Sequence, residues 1–124
     1  MTKFSITHRL SSFKFAFQGL AHLFQKEHNS RIHLLFGLTA TGLGKFFQIS
    51  RIEWITLIGC IGFVITSEIF NSTIEKTLDF ISIQKHPSIK IIKDLSAAAV
   101  LISATTALVI GLLIFYPKIS ALWY

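Results

Sequence analysis

The chain has a single cysteine, Cys60, so it can form no intramolecular disulfide. Cys60 falls among Ile and Gly in an apolar run, where a packing role is expected. Charge is scarce as well. Asp, Glu, Lys and Arg make up 15% of the 124 residues, against about 25% in an average soluble domain. Hydrophobic residues make up 52% and the mean hydropathy is +0.61, too apolar for an ordinary small soluble domain. Gly42-Leu43-Gly44-Lys45-Phe46 is not a P-loop, because the first Gly spacing and the Ser/Thr are missing. No protein-kinase signature set is present. His8, His22, His28, His33 and His86 lack metal-ligand spacing, which argues against zinc. Residues 1–25 have neither the continuous apolar core nor the small-residue cleavage site of a signal peptide. With no repeat, low-complexity tract or linker, the chain reads as one domain.

What is present points to a bilayer. Three candidate spans appear, near Ile32–Phe47, Ile52–Ile74 and Leu95–Pro117. The third carries no charge, and about 18 apolar residues suffice to cross hydrocarbon. The first is short and interrupted by Gly37, Gly42 and Gly44, with Lys45 placed to snorkel. The expected fold is all-α: a surface helix over 1–30 and helices containing the spans over 31–49, 52–80 and 89–117. A polar loop is expected over 79–88, with Pro87 as its breaker.

Charge asymmetry orients these spans. Lys3, Arg9, Lys14, Lys26 and Arg31 precede the first, and Lys76, Lys85, Lys90 and Lys93 lie between the second and third. The opposite side has Lys45, Arg51 and Lys118. Basic residues favour cytoplasmic segments, which places the N-terminus in the cytoplasm. Trp54, Tyr116, Trp123 and Tyr124 all fall at the predicted outer interface, where such rings prefer to sit. The net charge of +6 is explained by topology and by anionic lipid rather than by nucleic acid.

Before the first span, Leu10, Phe13, Phe17, Leu20 and Phe24 recur at spacings of three and four, the mark of an amphipathic helix. Flanked by Lys3, Arg9 and Lys14, it suits the cytoplasmic interface, and its stripe equally suits packing on the spans.

The most informative residues are Glu68, Asn71, Glu75 and Asp79, which share one helical face of the second span. Acids on a spanning helix cost about 2.5–3.5 kcal/mol each near its centre, and they mark function by default. Glu68 lies fourteen residues beyond Trp54, or about 21 Å deeper at about 1.5 Å per residue. That puts it in the cytoplasmic third of the hydrocarbon, with Glu75 near its boundary. A carboxylate there can accept a proton from an alcohol. Glu75 suits a hard cation such as Mg²⁺, which takes one or two protein carboxylates together with water and phosphate oxygens. Glu27, ahead of the first span, and Lys93-Asp94, ahead of the third, fall at the same depth. Together these residues predict a carboxylate-rich pocket open to the cytosol, with Lys93 available for phosphate.

The run Ser67-Glu68-Ile69-Phe70-Asn71-Ser72-Thr73-Ile74-Glu75, then Asp79, then Lys93-Asp94 before Ala97-Ala98-Ala99-Val100, resembles the signature of the small bacterial diacylglycerol kinase family, which includes the undecaprenol kinases. Phe13-Lys14-Phe15-Ala16 with Gly19-Leu20, and Glu27-x-Asn29-x-Arg31-Ile32-His33, extend the resemblance over nearly the whole chain. It implies a homotrimer of three-span protomers in the bacterial inner membrane, with the active site on the cytoplasmic side. It also implies transfer of the γ-phosphate of MgATP to a lipid alcohol. By this resemblance Glu68 is the catalytic base, and Glu27 and Glu75 bind metal and, through it, nucleotide. Asn71, Asp79, Lys93 and Asp94 surround ATP. The family's N-terminal nucleotide-contacting Arg falls on Arg9 with a one-residue gap and on His8 without one. The lipid lies against Glu68, Phe13, Phe17 and Ala97, and some partners come from a neighbouring subunit. Thr73 stands where the family often has Ala. The Asn29-x-Arg31-Ile32-His33 pattern looks more like the undecaprenol kinases than the enterobacterial diacylglycerol kinases, so undecaprenol is the expected acceptor and diacylglycerol the alternative.

Two non-enzymatic classes compete. An ion or proton relay needs a polar path to the outer side, yet residues 54–65 offer only Thr56 and Cys60. A helical interaction subunit predicts indifference to nucleotide and Mg²⁺, whereas a ligand site raises thermal stability.

Overall fold

The computed structural model describes residues 5–124. Lys3 and the first residues of the expected surface helix lie outside the described residues. Four helices, and no strand, occur among the described residues: α1 (Ile6–Lys26), α2 (His28–Phe46), α3 (Arg51–Ile81) and α4 (Pro87–Ser120).

Three boundaries differ from expectation, each for a local reason. The break between the first two helices falls at Glu27, whose backbone is extended and whose N–H closes α1 on the Leu23 carbonyl at 2.8 Å. Its side chain caps neither helix, because Lys76 of α3 holds it. The expected 79–88 loop contracts to residues 82–86. Pro87 opens α4 at its first turn, where a missing N–H costs nothing, while His86 Nδ1 accepts from Ser88 N–H at 3.1 Å. At the other end α4 runs past Pro117 to Ser120, and Lys118 in that last turn bonds Glu53 at 2.6 Å.

Two helices, α3 and α4, are long and apolar enough to cross a membrane. The first expected span, α2, does not reach that hydropathy, since Arg31, Lys45, two histidines and three glycines dilute it. Geometry nevertheless carries α2 along the same thickness. Ser30 of α2 meets Glu68 of α3 at one end, and Gly44 meets Trp54 at the other. Fourteen residues separate each pair on its own helix, or about 21 Å of antiparallel contact at about 1.5 Å per residue.

The interior is small and the exterior oily. Buried apolar side chains are Leu23, Ile49, Leu57, Val64, Ile114 and Phe115, joined by Ser30, Ser67, Ser72, Ser96 and Ser103. Small hydroxylic residues let helices approach closely where lipid, not water, is the solvent. Large Ile, Leu and Phe side chains point outward along every helix. In α1 the stripe divides: Leu20 and Phe24 are half-buried with Leu23 beneath them, whereas Leu10, Phe13 and Phe17 are exposed. The second half of the stripe therefore packs on the bundle, and the first half is left uncovered.

The α2–α3 turn is tight. Ile49 N–H bonds the Gly44 carbonyl and Gln48 N–H the Lys45 carbonyl, with Gln48 left-handed at φ 49°. This is the Schellman pattern that closes helices. A Cβ on Gly44 would stand 2.8 Å from the Trp54 ring and 3.1 Å from Ile49 Cδ1. Gly44→Ala is therefore expected to lose about 1–3 kcal/mol of stability. Gly42→Ala, which meets nothing within 4 Å, serves as the control in a thermal melt in detergent. Equal melting temperatures for the two variants would contradict this account of the turn.

Candidate active site

Five of the six acids collect at the end of the bundle where α1 meets α2; the sixth, Glu53, pairs with Lys118 at the far end. Burial falls steadily along the α3 stripe. Glu68 is 3% exposed, Asn71 and Glu75 are half-buried, and Asp79 is exposed. The stripe thus climbs from the bundle interior to its rim.

Glu68 is held from α2. Ser30, 1% exposed, donates from Oγ to Oε2 at 3.3 Å. His33 Nε2 stands 3.1 Å from Oε1. That approach lacks hydrogen-bond alignment, so Oε1 is a buried acceptor with no hydrogen-bond partner among the described residues. Burying a carboxylate oxygen unsatisfied costs more than a neutral group would, and such an exception calls for a reason.

Asn71 is held from α4. Ser96 Oγ lies 2.8 Å from Asn71 Oδ1 and 2.9 Å from the Lys93 carbonyl, so one hydroxyl proton serves two acceptors. This ties Asn71 to the turn that carries Lys93, whose Nζ pairs with Asp79 back on α3. Glu27 pairs with Lys76, one residue after Glu75. Among the described residues Glu75 makes no ion pair.

At this end of the bundle the structure links Glu68 to α2, Asn71 and Asp79 to α4, and Glu27 to Lys76, the residue after Glu75. Asp94 is not among them: it pairs with Lys90 on its own helix and is turned outward. Phe13 and Phe17, 64% and 68% exposed, likewise face away from the bundle, as does Ala97, and Arg9 is exposed on α1. Side chains on the wrong side of a helix cannot join the cluster within one chain.

The fit to Mg²⁺ can be read from the donors. No group of three His, Cys, Asp or Glu side chains able to hold a metal occurs among the described residues. Glu27 already draws a cation in Lys76, the residue after Glu75, and a set of so few carboxylates suits an ion that keeps most of its shell for water and phosphate.

Sequence reasoning missed Ser30, Ser96 and Lys76 as partners of the site. On sequence alone Lys76 reads only as a topological charge. Serines on apolar helices carry a weak signal, because they also bond back to their own carbonyls, as Ser67 does to Phe63.

Two apolar spaces adjoin the cluster. A groove of about 360 Å³ between α2, α3 and α4 starts at His33 and runs past Gly37, Ile61 and Gly111 to Phe115. Another of about 540 Å³ lies between α1 and α3, bordered by Leu20, Leu23, Ile69, Ser72 and Lys76.

Residues 14–115 match the family described as prokaryotic diacylglycerol kinase. Over 108 residues the chain is 35% identical to an undecaprenol kinase of Bacillus subtilis, covering 87% of this chain and 88% of that protein. It is 29% identical over 114 residues to a diacylglycerol kinase of Synechocystis sp., covering 91% of this chain and 65% of the relative. A diacylglycerol kinase of Haemophilus influenzae is 30% identical over 98 residues, covering 79% and 83% of the two chains.

Proposed function

The chain belongs to the prokaryotic diacylglycerol kinase family and is an ATP-dependent lipid kinase; on that footing we propose that its acceptor is undecaprenol and its product undecaprenyl phosphate. The similarity to the Bacillus subtilis enzyme and the Asn29-x-Arg31-Ile32-His33 pattern support this acceptor over diacylglycerol.

The buried Oε1 of Glu68, which accepts no hydrogen bond among the described residues, carries the mechanism. Glu68 takes the proton of the lipid hydroxyl as that oxygen attacks the γ-phosphorus. The new O–P bond forms, the bond from the γ-phosphorus to the β,γ-bridging oxygen breaks, and ADP leaves. Lys93, with Asp79, meets the phosphates, and Asn71 orients them from the turn Ser96 fixes. Glu27 and Glu75 would hold Mg²⁺, which screens the phosphate charge when bound. For this Lys76 would release Glu27. Helix α1 lies in the cytoplasmic interface of the inner membrane, with Phe13 and Phe17 toward the lipid acceptor. α2 serves as the third span. The outward Asp94, Arg9 and Ala97 complete the sites of neighbouring copies in a homotrimer, Asp94 and Arg9 on nucleotide and Ala97 on lipid.

The test is direct. Purified protein in detergent, given radiolabelled ATP and Mg²⁺ with undecaprenol or diacylglycerol separately, is expected to label undecaprenol with the higher kcat/KM. Preference for diacylglycerol overturns the acceptor. Labelling of neither, by folded protein, overturns the mechanism assigned to Glu68.

A further inference from the structure

His33 has no place in the mechanism so far, yet its Nε2 stands 3.1 Å from Oε1 of Glu68. Ser30 and His33 are three residues apart on α2, so they project from one face. That face meets Glu68 with one group for each carboxylate oxygen: Ser30 Oγ on Oε2 and His33 Nε2 on Oε1. A single contact leaves a carboxylate free to turn about its last bond; two contacts from a rigid helix fix its plane. The His33 approach is close without being in line, so the ring restrains Oε1 while leaving its lone pair open. His33 also forms the end wall of the groove between α2, α3 and α4.

We propose that His33 is a positioning residue that aims the Glu68 carboxylate at the acceptor hydroxyl, with Ser30 as its counterpart on the second oxygen. This rests on the reading of Glu68 as general base. It requires no contact between His33 and nucleotide, and His33 lies a helix turn and more from Glu27 along α2. Its removal therefore acts on the chemical step and leaves ATP binding alone.

The experiment compares full-length wild type, His33→Ala, His33→Gln, Ser30→Ala and Glu68→Gln in one detergent, with ATP varied at saturating undecaprenol and, separately, diacylglycerol. Misaiming a reactive group by about 1 Å can cost about 100-fold. On that scale His33→Ala is expected to lower kcat about 10- to 100-fold with the KM for ATP within about twofold. The Gln side chain reaches toward Oε1 with an NH₂ group, so His33→Gln is expected to recover to within about tenfold of wild type. Ser30→Ala gives a smaller fall in kcat, again without a change in the KM for ATP.

A His33→Ala enzyme with wild-type kcat overturns the proposal, as does a loss expressed in the KM for ATP. If His33→Ala fails to fold, His33→Gln decides the matter: a folded His33→Gln protein as inactive as Glu68→Gln also overturns it. The base assignment fails separately, through a Glu68→Gln enzyme that keeps its rate.

Discussion

Glu68→Gln is expected to lower kcat about 10²- to 10⁴-fold, in a protein that melts no earlier than wild type and still binds MgATP. The two halves of this result have one cause. A carboxylate at 3% exposure with one oxygen unbonded is costly to bury. The amide of Gln has nearly the same shape, keeps an oxygen for Ser30 Oγ, and removes the charge. Folding therefore gains or stays level, while the carboxylate assigned to take the hydroxyl proton is gone. Ligand stabilisation gives the third readout: MgATP raises the melting temperature of any protein that binds it in the folded state alone. A Glu68→Gln protein that turns over normally contradicts the base assignment. One that is inactive and grossly destabilised shows a structural role instead.

Chelation of Mg²⁺ is expected to stop turnover, and Glu75→Gln to raise the Mg²⁺ concentration needed for half the maximal rate. Loss of groups that only support a metal ligand costs about 10- to 100-fold in affinity, and loss of a ligand itself is expected to cost at least that. Glu75 is the carboxylate of this cluster without an ion pair among the described residues, so no internal cation substitutes for the metal there. Glu27 differs, because Lys76 neutralises it. Glu27→Gln frees Lys76, which then remains as a positive charge near the phosphates. Its Mg²⁺ requirement is expected to rise less than that of Glu75→Gln. Magnesium titrations of both variants under saturating ATP measure the difference. Equal Mg²⁺ requirements for Glu75→Gln and wild type would remove Glu75 from the metal site.

The stripe on α3 was legible in the sequence because a helix has one period and acids on an apolar face stand out. The spans α3 and α4 were legible for the same reason: long runs without charge have few alternatives. The partners of the stripe were not. That Ser30 meets Glu68, that Ser96 meets Asn71 and that Lys76 meets Glu27 depends on how helices are registered against one another, which no single helix encodes. The break at Glu27 was hidden likewise, since an extended residue between two helices carries no Gly or Pro to announce it. On sequence alone Pro87 reads as a loop breaker, although proline is equally at home in a first turn. The family resemblance named the chemistry at Glu68 without indicating that one of its oxygens would be left unbonded.

The rods that carry this site have fixed lengths, and a bilayer does not. α3 and α4 contain 31 and 34 residues, or about 46 and 51 Å at about 1.5 Å per residue, well beyond about 30 Å of hydrocarbon. In the proposed orientation Trp54 anchors α3 at the outer leaflet, and Glu68 sits at a set height above that anchor, whatever the lipid. In thicker membranes the headgroup plane of the opposite leaflet recedes from Glu68, and in thinner ones it sinks past it. Acyl-chain length should therefore tune the rate of such an enzyme even when its acceptor and nucleotide are saturating.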